Sequence, residues 1–331
     1  MNKDFLSRGA AQLPVKWMRQ LSGVALVVPY YHIVSDEFVP HVSHLYRFRT
    51  IAEFTADLEF FMRHFAPVTL NDIVEALNGR RTLPRFCFHL TFDDGFRETH
   101  DVVAPILKRI GAPATFFLNT AFLDGGGLQH HNALSVLADR LQSHQSVATL
   151  RYVDSILPAA KTNSATLQAR LRSIHFTQEA LLQSLAEILE VDLDKYVRKR
   201  RPYLSSEQIG RLLSWGFSIG SHGHEHPLYA DLTLPQQLSQ TRVSTRLLET
   251  QFGLNPKAFA FPHTDKGVDG AFFSAVFSEP LLDVAFGTAG LVPHFHPRNI
   301  ERVCMEGTHA PAAEILKRQY ARAMYFRLSR H

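Results

Sequence analysis

The stretch RFCFHLTFDDGFRETHDVVAPILKRIGAPATFFLNTAFL, residues 85–123, decides the fold. Its first eight residues form a continuous apolar run, the pattern of a strand in a sheet covered on both faces. Residues 99–111 have helical spacing, and residues 114–123 are apolar again before an Asp and three glycines. Strand, helix and strand within roughly 35 residues make a βαβ unit, whose two strands are parallel. The first strand ends on two adjacent carboxylates, Asp93 and Asp94, followed by Gly95. Like charges repel and are costly where water is scarce. The turn therefore either opens both carboxylates to water or holds them for a cation.

Working outward, the same alternation continues on both sides. Residues 24–34 read as a strand, and 50–65 and 68–79 as two helices. After residue 123 the alternation stops. From about 128 to 201 only helical patterns occur, such as HNALSVLADRLQS and TQEALLQSLAEILE, which predicts a helical insertion. It resumes with LSSEQIGRLLSWG, where Ser205 and Gln208 have capping-box spacing and Gly216 suits a C-terminal cap. A strand at 217–221, a helix at 234–253 with Pro235 in its first turn, and strands at 257–261, 283–288 and 302–306 follow. The expected division is an N-terminal segment, 1–23, and one barrel, 24–331, interrupted at about 128–201.

The length allows one large α/β barrel with an insertion, and equally two domains. The chain has 331 residues, 45% hydrophobic and 20% charged, enough to bury a sizeable core. Lys plus Arg exceed Asp plus Glu by only 35 to 31, which does not argue for nucleic acid. The densest basic run, Arg198, Lys199, Arg200 and Arg201, could meet a membrane surface or an anionic glycan; a solvated face is the plainer reading. Cys87 and Cys304 lie in apolar segments and are expected as buried free thiols, in keeping with a reducing compartment. The N-terminus shows no secretory signal, and 24–31 is too short to span a bilayer. The expected location is cytoplasmic, with membrane-peripheral contact as a variant. Phe5, Leu6, Leu13, Trp17, Met18 and Leu21 among basic residues suit a surface helix, but Pro14 favours a segment packed on the domain.

A second cluster bears on the carboxylates. SIGSHGHEHPLY, residues 218–229, follows a strand and places His222, His224 and His226 within five residues. Pro227 biases His226 away from helix, so this is a strand-end loop, not a helix-borne zinc motif. Histidines and a carboxylate at the ends of strands suit zinc or another late first-row divalent ion. Three protein ligands leave a position open for water, as hydrolysis requires.

TFDDG followed by SHGHEHP resembles the polysaccharide deacetylases with a NodB homology domain, the carbohydrate esterase family 4 type. FAFPHTDKG (259–267) resembles the family's aromatic-Pro-Tyr-Gly loop and NIERVCME its late arginine strand. PYYHIVSD with FTADLEFFMRHFAPVTLNDI resembles the branch containing the poly-N-acetylglucosamine deacetylases. The resemblance implies an α/β fold, a distorted (β/α) barrel with its site at the C-terminal strand ends. It implies a metal-dependent hydrolase that removes acetyl groups, foremost the N-acetyl of amino sugars, from a glycan. Asp94, His222 and His226 would hold one divalent metal, Zn2+ first, with Co2+, Ni2+ or Fe2+ as alternatives. Asp93 would be the general base, and a backbone N–H of the Pro262–His263 loop would face the oxyanion. His224 is expected to point elsewhere.

Three positions depart from the family pattern. His263 stands where Tyr is usual. Ala260 stands where many members carry an arginine that orients the base, and Arg302 is the expected substitute. The C-terminal Leu-x-His of many members is missing. His32, ending an apolar strand, has the same look at the N-terminus, as though the barrel were circularly permuted; His309 is the competing general acid. Two other readings stay open: a sugar-binding relative without turnover, and a haloacid-dehalogenase-type phosphatase. The phosphatase needs its two acids two residues apart, whereas Asp93 and Asp94 are adjacent.

Overall fold

The computed structural model describes residues 13–143, 146–157, 166–292 and 296–328. Its strands run β1 (Leu26–Val27), β2 (Pro29–Tyr31), β3 (Ala66–Pro67), β4 (Cys87–Phe88), β5 (Leu90–Phe92), β6 (Ala114–Leu118), β7 (Ser218–Ser221), β8 (Ala258–Ala260), β9 (Val284–Gly287), β10 (Asn299–Glu301) and β11 (Val303–Cys304). Eight of them form one sheet in the order β10-β9-β8-β7-β6-β5-β2-β11, every pair parallel. Only Arg302 separates β10 from β11. One short piece of chain thus pairs with β9 by its first half and with β2 by its second, and the sheet curls into a nearly closed barrel. β1, β4 and β3 form a small parallel sheet at its side.

Alternation along the strands sorts the side chains. Val28, Phe117, Ala258, Ala260, Val284 and Phe286 pack together as the barrel's filling. Tyr31, Phe92, Phe116 and Val303 pack with the surrounding helices instead. Gly220 pairs with Phe117, and a Cβ there would lie 2.4 Å from the Phe117 ring, so no larger residue fits beside that side chain. The helices start where the sequence caps them. Capping boxes at Thr50–Glu53, Thr69–Asp72 and Ser205–Gln208 satisfy first-turn N–H groups.

The segment after β6 carries five helices, His130–Gln142, Val147–Ile156, Leu167–Arg172, Glu179–Ile188 and Leu193–Arg200, and no strand among its described residues. It has its own apolar core, in which Leu134, Leu137, Val153, Leu171 and Leu185 are buried. Hydrogen bonds tie it to the barrel: Asn132 Nδ2 donates to the His41 carbonyl at 2.8 Å, and Ser135 Oγ to the Pro40 carbonyl at 2.7 Å.

Several expectations need correction. The strand predicted for 114–123 ends at Leu118, because the amides of Thr120 and Ala121 turn to the Gly223 and His224 carbonyls of the histidine loop. The helix predicted from residue 99 opens with a π-helical turn, Thr99–Val103. Cys87 is buried as expected, but Cys304 is exposed. Helices Gly270–Ser278 and Ala312–Leu328 were not foreseen. Helix Val15–Ser22 packs on Ala312–Leu328 through buried Val15 and Met18, while Leu13, Trp17 and Leu21 stay exposed; Phe5 and Leu6 lie outside the described residues. Among the described residues no helix is long and apolar enough to cross a membrane.

Candidate metal centre and catalytic cluster

The two carboxylates leave β5 in different directions. Asp93 is still in register, its amide donating to the Tyr31 carbonyl at 2.9 Å. Asp94 has φ +67°, a left-handed conformation that Asp tolerates better than most residues. His226 (φ +62°) and His263 (φ +58°) are left-handed too. Such conformations cost on the order of 1–3 kcal/mol each and persist where the surroundings over-determine them.

Asp94 faces the histidine loop. Its Oδ1 lies 3.1 Å from His226 Nε2 and 3.6 Å from His222 Nε2. One donor atom from each of the three residues falls within 4.8 Å of the others. His222 Nδ1 lies 2.8 Å from the Ala260 carbonyl, to which it donates, leaving the Nε2 lone pair turned to the cluster. Burial lowers the His222 pKa to about 4, against the pull of Asp93, so the ring is neutral. Burial opposes ionisation of Asp94, but His226, and then His32 and His222, outweigh it and hold the carboxyl far below its usual range. A neutral imidazole at His222 and an ionised carboxylate at Asp94 are protonation states that a metal ion requires. The N, N, O donor set fits a divalent ion of the zinc class.

Asp93 belongs to a different partner. Both its oxygens lie 2.7 Å from the Arg302 guanidinium, a bidentate pair. Arg302 is wholly buried, donates through Nε to the Gly287 carbonyl at 3.1 Å, and sits over the Tyr30 ring at 4.6 Å. Burial would raise the Asp93 pKa, but Arg302 and His222 bring it below the ordinary value. Ala260, at the family's arginine position, leaves its carbonyl to His222.

β2 and β5 pair Tyr31 with Phe92, so His32 stands beside Asp93 one residue on, on the same face. His32 Nδ1 lies 2.6 Å from Glu306 Oε2, and Glu306 also accepts the amides of His32 and Ile33. Burial works against the charged ring, but Glu306 raises the His32 pKa to about 10. His309 is exposed beyond β11. His224 turns to Thr120 Oγ1 at 2.8 Å and stands outside the trio.

The loop after β8 supplies the far wall. Pro262 has no N–H, so the donor available there is the amide of His263. The His263 ring lies 4.4 Å from that of His226, and the His131 ring lies 4.9 Å from His263. Beside them opens a cleft of about 560 Å³, with His131, Ile174 and Phe176 from the insert on one side and Pro227, Leu228 and Gln236 on the other. His175 Nε2 and Asp231 Oδ2 meet across it at 3.1 Å. A larger cavity, about 740 Å³, is lined by Leu26, Ile73, Leu77 and Leu291 and contains none of the cluster. Arg198, Lys199 and Arg201 are exposed at the end of the insert, whereas Arg200 bonds to Tyr196.

The sequence reading missed Glu306, Gln129 and His131. Glu306 had a signal, since it ends an apolar strand as Asp93 does. The other two lie at the start of a helix whose docking no periodicity reveals.

A family model described as polysaccharide deacetylase matches residues 80–269. Solved structures with similar folds include the Streptococcus pyogenes deacetylase PplD in complex with acetate, at 14% identity and TM-score 0.58, covering 90% of this chain and 99% of that one. IcaB from Ammonifex degensii is similar at 17% identity and TM-score 0.55, covering 90% and 97%. BC0361, a polysaccharide deacetylase from Bacillus cereus, is similar at 14% identity and TM-score 0.53, covering 91% and 69%. At these identities the likeness shows the fold. No curated protein matches the chain.

Proposed function

The chain belongs to the polysaccharide deacetylase family, and from that membership we propose that it is a metal-dependent hydrolase removing N-acetyl groups from the amino sugars of a glycan. The observation that carries this reading is the split between the two carboxylates: Asp94 is turned to His222 and His226, and Asp93 to Arg302. Asp94, His222 and His226 would hold the ion. A divalent ion there, zinc or else cobalt, nickel or iron, supplies Lewis acidity for the acetyl carbonyl and for water.

The chain's own groups do the rest. Asp93, kept ionised and oriented by Arg302, takes a proton from the attacking water. The His263 amide donates to the carbonyl oxygen as it gains charge, and Pro262 stiffens that loop. As water's oxygen bonds to the acetyl carbon and the carbon–nitrogen bond breaks, His32, protonated beside Glu306, gives a proton to the leaving nitrogen. The cleft beside His226 and His263 receives the sugar. We take residues 24–331 as one barrel with the insert as part of its substrate side, and 1–23 as an N-terminal segment whose helix Val15–Ser22 packs against it.

Both competing readings are weaker here. Asp93, with each oxygen engaged by Arg302, is poorly disposed to attack a phosphate. A sugar-binding barrel without turnover has no use for an oriented base. The test is acetate release from N-acetylated oligosaccharides by chelated protein, before and after each metal is restored. Turnover is expected only with metal, His226→Ala should lose stoichiometric metal, and His224→Ala should retain it. Asp93→Asn should keep metal and lose turnover by ~100-fold or more. Full turnover in chelated protein overturns the proposal.

A further inference from the structure

Gln129 occupies the N-cap of helix His130–Gln142, the first helix of the insert. Ser, Thr, Asp and Asn are favoured there because their side chains accept a first-turn N–H. Gln129 does not cap. Instead its side chain, only 2% exposed, sends Nε2 to Asp94 Oδ1 at 3.3 Å. This is the same oxygen that faces His222 and His226. The backbone is held for that purpose: the Gln129 amide donates to the Tyr203 hydroxyl at 3.0 Å, and that hydroxyl donates to Asn132 Oδ1 at 2.5 Å. Tyr203 in turn bridges to Phe96, and the Leu204 amide donates to the Gly95 carbonyl at 2.9 Å. Both ends of the insert thus close on the turn that carries Asp94.

We propose that Gln129 is a positioning residue for the metal-binding carboxylate of Asp94, so that the insert contributes to the affinity of the metal centre. The inference rests on the reading of Asp94, His222 and His226 as metal ligands. The physical ground is the situation of Asp94. It is buried, left-handed and adjacent to a second carboxylate, and among the described residues the hydrogen-bond donor reaching its Oδ1 from outside the histidine pair is this amide. Groups that hydrogen-bond a metal ligand and fix its orientation typically change metal affinity by about 10–100-fold when removed.

The experiment measures the dissociation constant for Zn2+ and Co2+ by competition with a chromophoric chelator, on the full chain. Gln129→Met keeps the side chain's length and removes its donor. It is expected to bind metal about 10–100-fold more weakly, with thermal unfolding of the metal-free protein close to that of wild type. The visible spectrum of the Co2+ form should shift as the carboxylate reorients. If Gln129→Met does not fold, Gln129→Asn, whose amide falls one methylene short, takes its place with the same expectation. Wild-type affinity and spectrum in the variant overturn the inference while leaving the proposed function intact. A wild-type protein that binds no metal sinks both, and is recognised by its own titration.

Discussion

The barrel and the helical insert solve different problems with different chemistry. In the barrel, strand order does the work: β5, β7, β8 and β10–β11 bring Asp93, Asp94, His222, His263 and Arg302 to the same end. The decisive contact there is a buried ion pair, Arg302 with Asp93. The insert has a separate apolar core and reaches the site through uncharged side chains, an amide from Gln129 to Asp94 and the His131 ring beside His263. On the proposed reading the work is divided: the barrel would supply the reacting groups, and the insert alignment and one wall of the cleft.

The strongest way to break that comparison is on the barrel side. Arg302→Met leaves the Asp93 carboxylate buried without its counter-charge. Breaking a buried pair by removing one partner typically costs about 3–5 kcal/mol, so the midpoint of urea unfolding should fall sharply and turnover with it. A variant as stable as wild type would mean that the base draws its counter-charge from elsewhere.

A smaller effect is expected where the insert is fastened. Tyr203→Phe removes the hydroxyl that accepts the Gln129 amide and donates to Asn132. Leaving such buried groups unsatisfied costs roughly 1–3 kcal/mol. Urea unfolding measures it, and no loss would show that the seam between insert and barrel is held by packing alone.

The smallest effect concerns the basic face. Reversing Arg198, Lys199 and Arg201 to Glu should change stability by about 0.5 kcal/mol or less at each position, as for most surface substitutions. If this face meets an anionic glycan, turnover of such a substrate should drop at low salt and recover as salt screens the charges. An equal rate at low and high salt returns the run to a solvated surface.

Legibility followed the same division. Asp93, Asp94, His222 and His226 could be read because each motif sits directly after an apolar strand, and strand ends share one rim. Arg302 was read because Ala260 left a charge unaccounted for, and the observed pair joins it to Asp93. His32 was read as a strand-end histidine, but its partner Glu306 needed the register of β11 against β2. β10 is three residues long, too short to show a period. Gln129 could not be read at all. Helical spacing tells which face of a helix is apolar, not against which turn its first residue will dock, and Gln is no recognised capping residue.

The strand that closes the barrel has a consequence for assembly in time. Asp93 and Arg302 are 209 residues apart in the chain. At ribosomal speeds of about 5–20 residues per second, roughly 10 to 40 s pass between the synthesis of one and the other. Within that interval His222 and His226 join Asp94, so the proposed metal trio is complete in the chain while Asp93 still has no guanidinium to face. The same segment that meets β9 and β2 also delivers Arg302, so closure of the barrel and pairing of Asp93 are one event. On the proposed reading, a chain still short of this strand could gather its metal ligands early but would have no paired base until the strand is in place.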